Sequence, residues 1–199
     1  MSTSTETAWG PTEMPPGPLR RFTIEEYHRM IETGVFGPED RLELLNGWIV
    51  SMSPHNPPHD TSVSLTDDAI DYRLPQGWCI RVHASITLSE SEPEPDIAVV
   101  RGEHRRYASR HPSPTDIGIL VEVSESTLRY DREEKGPTYA REGIAVYWIV
   151  NLVETKIETY TDPSPTGYRQ RRDYVVGESV PLMLDGREVA TIPVEDLLP

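Results

Sequence analysis

Ile117, Ile119, Leu120, Val121 and Val123 form a near-continuous apolar run, the pattern of a strand covered on both faces, and Glu122 stands inside it. An ionised carboxylate in that setting costs several kcal/mol unless it is paired or metal-bound. The run therefore asks for two things at once: a sheet with layers on either side, and a cationic partner for one of its own residues. Asp96 makes a similar demand. It follows Pro93-Glu94-Pro95 and opens the apolar stretch Ile97-Ala98-Val99-Val100, where an isolated carboxylate gains little from facing inward.

Around these two strands the periodicities predict the rest of the fold. Thr23 and Glu26 make a capping box, and Ile24, Tyr27, Met30 and Ile31 recur at helical spacing, so residues 22–32 read as a helix closed by Gly34. "RLELLNGWIVSMSP" holds two apolar runs joined by Asn46-Gly47, a hairpin signal, with Glu43 in the first arm. His59 to Leu74 reads as an amphipathic helix ending before Pro75-Gln76-Gly77, and Trp78–Leu88, Asp96–Val100 and Ile117–Val123 read as strands. A polar, proline-containing loop separates the last two. Asp131, with Glu134 three positions on, reads as the cap of a helix running to about Glu142 and stopped by Gly143. Pro137 falls beyond the first turn of that helix and would clash with the carbonyl four residues back, so the helix starts late or kinks. "AVYWIVN", "KIETYTD" and "YRQRRDYVV" follow as strands, with Asp162 to Gly167 as a turn. The predicted class is α/β (α+β): a mixed sheet flanked by helices, preceded by an N-terminal helix and a β-hairpin.

A chain of 199 residues supports one sizeable core. Residues 21–199 read as a single domain, and the Ser-, Thr- and Pro-rich residues 1–20 as a flexible tail. No run of about eighteen apolar residues is present for a membrane helix, and the start lacks the basic and apolar segments of a secretory signal, so a cytoplasmic protein is expected. The single cysteine, Cys79, excludes an internal disulfide and a cysteine-based zinc site and reads as core filling. The net charge of −14 weighs against nucleic-acid binding, which draws its affinity from Lys and Arg. Local basic stretches do occur at Arg101, His104, Arg105, Arg106 and Arg110, and at Arg169, Arg171 and Arg172; each reads first as a solvated loop or strand face.

Two acidic groups at the ends of adjacent strands suit a hard divalent ion with oxygen ligands, Mg2+ or Mn2+. The residues alone leave an equal alternative, in which Asp96 caps a turn and Glu122 pairs with an arginine such as Arg81. Lys135 follows Glu122 across a link long enough to double back over the strand end, where an ammonium can polarise water or neutralise a phosphate. A lysine near a helix start is otherwise ordinarily solvated.

"EPEPDIAVV", "ILVEVSEST" and "YDREEKGPTYAREGIAVYWIVN", preceded by "RLELLNGWIVSMSP" and His59, together resemble the Uma-two family, bacterial proteins grouped with the PD-(D/E)XK, restriction-endonuclease-like superfamily. The resemblance spans Phe22 to Val176, in the same order. It implies a restriction-endonuclease-like fold in which an Asp at the start of one strand and a Glu on the next bind Mg2+, while a Lys two positions after the Glu assists the attacking water. Asp96 and Glu122 match the first two. Ser124 stands at the lysine position, so this chain departs from the superfamily pattern and resembles a variant whose lysine lies on the following helix, here Lys135. Glu43 matches the family's N-terminal glutamate, a further metal-shell or orienting carboxylate. Tyr139, four residues after Lys135 on the same helical face, would hold the ammonium. His59 matches a frequent histidine of the family and reads as a cap or packing residue; Tyr147 and Trp148 read as core.

The implied function is a Mg2+-dependent DNA endonuclease, with weak and salt-sensitive binding to nucleic acid and a homodimer to cut two strands. The acidic charge keeps two rivals open: a nuclease-fold binding or regulatory module with little or no activity, and an interaction protein whose surface mimics nucleic acid.

Overall fold

The computed structural model describes residues 18–37 and 39–199, so most of the expected tail at 1–20 lies outside the described residues. Helix α1 (Ile24–Glu32) begins where its capping box predicts, with the Thr23 hydroxyl accepting from the Glu26 N–H and the Glu26 carboxylate from the Thr23 N–H. Strands β1 (Leu42–Leu45) and β2 (Trp48–Ser51) pair antiparallel around Asn46 and Gly47, whose φ values of 51° and 79° suit a two-residue hairpin. The hairpin is moored to the chain before the main sheet: the Gly47 N–H donates to the Glu90 carbonyl and the Glu92 N–H to the Leu44 carbonyl. That mooring fixes where Glu43 points.

Helix α2 (Pro57–Asp71) starts two residues earlier than the periodicity predicts, because the Asn56 side chain accepts from the His59 N–H and Pro57 suits a first turn. Six strands then form one sheet in chain order: β3 (Trp78–Val82), β4 (Ile97–Arg101), β5 (Ile117–Ser124), β6 (Val146–Asn151), β7 (Lys156–Ser164) and β8 (Gly167–Val175). Only β5 and β6 are parallel. A parallel pair needs a crossover, and this one is helical: α3 (Leu128–Tyr130), a π-helical turn (Asp131–Lys135) and α4 (Gly136–Arg141).

Two further predicted boundaries shift. The strand predicted to reach Leu88 stops at Val82, since His83 adopts φ 44° and the chain leaves the sheet, with the Ile86 and Leu88 N–H groups bonding to Pro93 and Ser91 carbonyls in their own excursion. The turn predicted at 162–167 is shorter, because Pro163 and Ser164 stay in β7 opposite Tyr168 and Gly167. Beyond the predicted strands, β9 (Ser179–Leu184) and β10 (Arg187–Pro193) form a second hairpin around Asp185 and Gly186.

Alternation along the strands splits the core in two. Val99, Ile119, Val121, Val123 and Trp148 pack with Ile70 of α2 and with Val180, Leu182 and Ile192 of the second hairpin. On the other face Val100, Leu120, Tyr147 and Ile149 pack with Tyr139 of α4. This two-sided cover is why β5 is apolar apart from Glu122 and Ser124, and buried at every position. Glu122 shares its parity with Leu120, so it faces the crossover helices. Gly118 sits beside an irregularity in the β4–β5 register, where a Cβ would lie 2.6 Å from the Trp78 ring and 2.7 Å from Leu184.

Candidate functional site

Ile97 pairs with Val121, and continuing that register by one step sets Asp96 opposite Glu122 at the strand ends. Asp96 Oδ2 accepts from the Val123 N–H at 2.7 Å and lies 3.3 Å from His59 Nε2, while Oδ1 lies 3.2 Å from His83 Nε2. Burial opposes ionisation of Asp96, but the two imidazoles and the Val123 N–H outweigh it and hold the carboxyl well below the usual range. Asn56, not His59, caps α2, so the imidazole is free to reach Asp96.

Glu122 Oε1 accepts from the Tyr139 hydroxyl at 2.7 Å and from Lys135 Nζ at 3.1 Å. Arg81 lies over the Tyr107 ring instead, 5.5 Å from its centroid. Burial pushes the Glu122 carboxyl up and the nearby carboxylates add to that, against the pull of Lys135. For Lys135 burial acts in the opposite sense, but Glu122, Glu43, Asp131 and Asp96 keep its ammonium well above the ordinary lysine value. The lysine is thus a buried cation, 7 % exposed, rather than a solvated helix residue. Tyr139 does not hold the ammonium directly; both groups meet on one carboxylate oxygen. Glu43 reaches the same ammonium with Oε2 at 3.6 Å, where the Glu94 N–H also donates at 3.3 Å, and the Tyr130 hydroxyl lies 3.5 Å from Oε1.

The π-helical turn brings Lys135 inward. The Gly136 N–H bonds to the Asp131 carbonyl five residues back, and this wider turn leaves Pro137 in the first turn of α4, where its missing N–H costs nothing. A Cβ on Gly136 would lie 3.2 Å from that carbonyl and 3.4 Å from the Tyr147 ring, so the turn leaves little room for a side chain. Asp131 is not the helix cap the spacing suggests, because the helix has already begun at Leu128. Its buried Oδ2 accepts instead from the Ser124 and Thr127 hydroxyls, each at 2.7 Å.

Glu43, Asp96, Glu122 and Lys135, the four residues singled out in the sequence, all line one cleft of about 310 Å³, together with Asp131, Tyr130, His55 and His59. Tyr130, His55 and His83 carried no signal that sequence reasoning used, although three of the chain's six histidines fall between positions 55 and 83, and Asp131 read only as a helix cap. As a donor set the cleft suits a hard divalent cation: four buried carboxylates face one buried ammonium, leaving a surplus of negative charge and oxygen ligands. Their oxygens are at present directed elsewhere, Glu122 to Lys135 and Tyr139, Asp96 to its histidines. Among the described residues, the triads of candidate ligand atoms lying within 4.8 Å of one another are His55–His59–Asp60 and His55–His83–Asp96.

The basic stretches are largely neutralised within the chain. Arg101 pairs with Asp185, Arg106 and Arg110 with buried Asp116, Arg169 with Asp162, and Arg171 with Asp173. Arg172 lies over the Tyr174 ring. No helix among the described residues is long and apolar enough to cross a membrane.

The sheet and its helical crossover make a mixed α+β fold. It is shared with a solved structure described as a "putative nuclease belonging to DUF820 from Anabaena variabilis ATCC 29413", at TM-score 0.66 and 15 % identity, covering 88 % of this chain and 97 % of that one. The chain belongs to the Uma2 family, described as "Putative restriction endonuclease", which matches residues 24–194. No curated protein matches it.

Proposed function

We propose that this protein is a Mg2+- or Mn2+-dependent endonuclease that hydrolyses phosphodiester bonds of DNA. It acts in the cytoplasm, as a homodimer of single domains spanning residues 21–199. The observation that supports this most is the burial of Glu43, Asp96 and Glu122 with Lys135 around one cleft. Asp96, Glu122 and Glu43 would hold the metal, which when bound lowers the pKa of water and stabilises charge gathering on phosphoryl oxygens. Lys135, an ammonium among carboxylates, donates hydrogen bonds and orients the attacking water rather than accepting its proton. Tyr139 fixes the Glu122 carboxylate, and the Glu94 N–H fixes that of Glu43. With most arginines paired internally, DNA affinity is weak and falls steeply with salt.

Thermal melting with Mn2+ tests the metal site, since bound metal relieves the repulsion between the carboxylates. The midpoint of the wild type should rise and that of Asp96→Asn should not; equal behaviour removes Asp96 from the site. Lys135→Ala should then retain metal binding while losing most cleavage.

The net charge of −14 and the paired arginines favour a second reading, a nuclease-fold binding module or nucleic-acid mimic without strong activity. Indifference of the wild-type midpoint to Mn2+, with no cleavage in either metal, would select it.

A further inference from the structure

Three imidazoles gather around Asp96, and the mechanism above uses none of them. His59 and His83 approach its two oxygens, and the His55 ring stacks on His59 with centroids 4.2 Å apart and stands 4.8 Å from His83. Ligand atoms of His55, His83 and Asp96 all lie within 4.8 Å of one another. His83 and Asp96 face each other one step beyond the β3–β4 pairing of Val82 with Ile97, and His55 joins them from the loop after β2, which no helical or strand spacing would bring there. His83 takes a left-handed φ of 44° as its N–H bonds to the Asp96 carbonyl, and His59 Nδ1 is buried without a hydrogen-bond partner.

Mixed imidazole and carboxylate donors suit first-row transition metals, whereas Mg2+ favours oxygen ligands alone. Asp60 lies 3.4 Å from His55 Nδ1, and the exposed Arg41 donates from Nη2 to His55 Nε2 at 3.1 Å. A cation already rests against this imidazole, and its exposed side chain can swing aside. We infer that His55, His83 and Asp96 form a second metal site, specific for an imidazole-preferring first-row transition ion such as Zn2+ or Co2+. It lies beside the cleft, which His55 and Asp96 line, and shares Asp96 with the carboxylate–lysine chamber. His59 is a positioning residue that steadies Asp96 through Nε2. The inference leans on the proposed nuclease site only through that shared carboxylate.

The test titrates Co2+ into the full chain, prepared without an affinity tag, and follows its visible absorption, then competes with Zn2+ and with Mg2+. A single equivalent should bind with bands of nitrogen-ligated Co2+, displaced by Zn2+ and not by excess Mg2+. His55→Gln and His83→Gln, both on accessible residues and checked by melting, should each weaken binding about tenfold or more. Glu122→Gln and Asp60→Asn should leave it in place. No stoichiometric Co2+ binding, or equal binding by the wild type and the His55→Gln/His83→Gln double variant, overturns the site. So does binding lost in Glu122→Gln and kept in that double variant. Cleavage is not part of the readout, so an inactive protein that binds Co2+ through these imidazoles would sink the nuclease reading and leave this one standing.

Discussion

Replacing Lys135 by methionine should weaken the metal-free protein far more than a helix-surface change would. Lys135 Nζ lies 3.1 Å from Glu122 and 3.6 Å from Glu43, with all three side chains buried, so the variant strands carboxylates without their shared cation. Breaking a buried pair costs about 3–5 kcal/mol, and the lower end applies here because Glu122 can take up a proton. At about 3 kcal/mol, a domain of this size loses about 6–12 °C in melting midpoint. The loss should also depend on pH. The folded-state pKa of Glu122 lies above its ordinary 4.5, burial being the largest cause, and removing Lys135 removes the cation that draws it down. The folded state then keeps a proton that the unfolded chain releases, so stability is greatest below the ordinary value and is lost as pH rises toward the folded one. Melting of both proteins in EDTA at about pH 5 and about pH 8 should show the larger penalty at the higher pH. Adding Glu122→Gln to Lys135→Met should recover much of the loss. A midpoint within about 1 °C of wild type, or a penalty independent of pH, would refute the buried-cation argument.

Tyr139→Phe removes the hydroxyl that donates to Glu122 at 2.7 Å; it should cost about 1–2 kcal/mol in denaturant unfolding and slow cleavage without abolishing it. Gly118→Ala should overpack the contact with Trp78 and Leu184 and cost about 1–3 kcal/mol, seen as a lower urea midpoint; an unchanged midpoint would mean that the second hairpin is not seated as described. Asp116, which accepts from Arg110, Ser113 and Arg106, is held well below the ordinary carboxylate value of 3.8, first by Arg110. Its contribution is present above that value and is lost as pH falls below it, so Asp116→Asn should unfold with a shallower acid dependence than the wild type.

Much of the fold was legible because local signals and burial agreed. The Thr23–Glu26 capping box, the Asn46-Gly47 turn and the doubly covered β5 run each read directly onto the structure. The candidate site was legible in its carboxylates, since Glu122 in an apolar strand and Asp96 at a strand start are visible conflicts; the resemblance gave Glu43 its role and favoured Lys135 at the site over a solvated lysine. The burial of Lys135 was not legible. It depends on a π-helical turn, which has no periodicity of its own and shows in the sequence only as a proline in an awkward place. Asp131 looked like a cap for the same reason. The histidines around Asp96 were hidden because their meeting is tertiary: His83 ends a strand that its apolar neighbours seemed to continue, and His55 sits in a loop. The Asp185-Gly186 turn was present in the sequence, and would have announced the second hairpin had it been weighed as Asn46-Gly47 was.

The central claim is that the buried carboxylates hold a metal for phosphodiester cleavage, and Mn2+-supported nicking of supercoiled plasmid by wild type and Glu122→Gln tests it most directly. Glutamine keeps the shape and the contact with Tyr139 but removes the charge that would bind metal. The account predicts nicking by the wild type that stops with EDTA and is lost in Glu122→Gln. Equal nicking by the two proteins, or none by the wild type in Mn2+ or Mg2+, would contradict it.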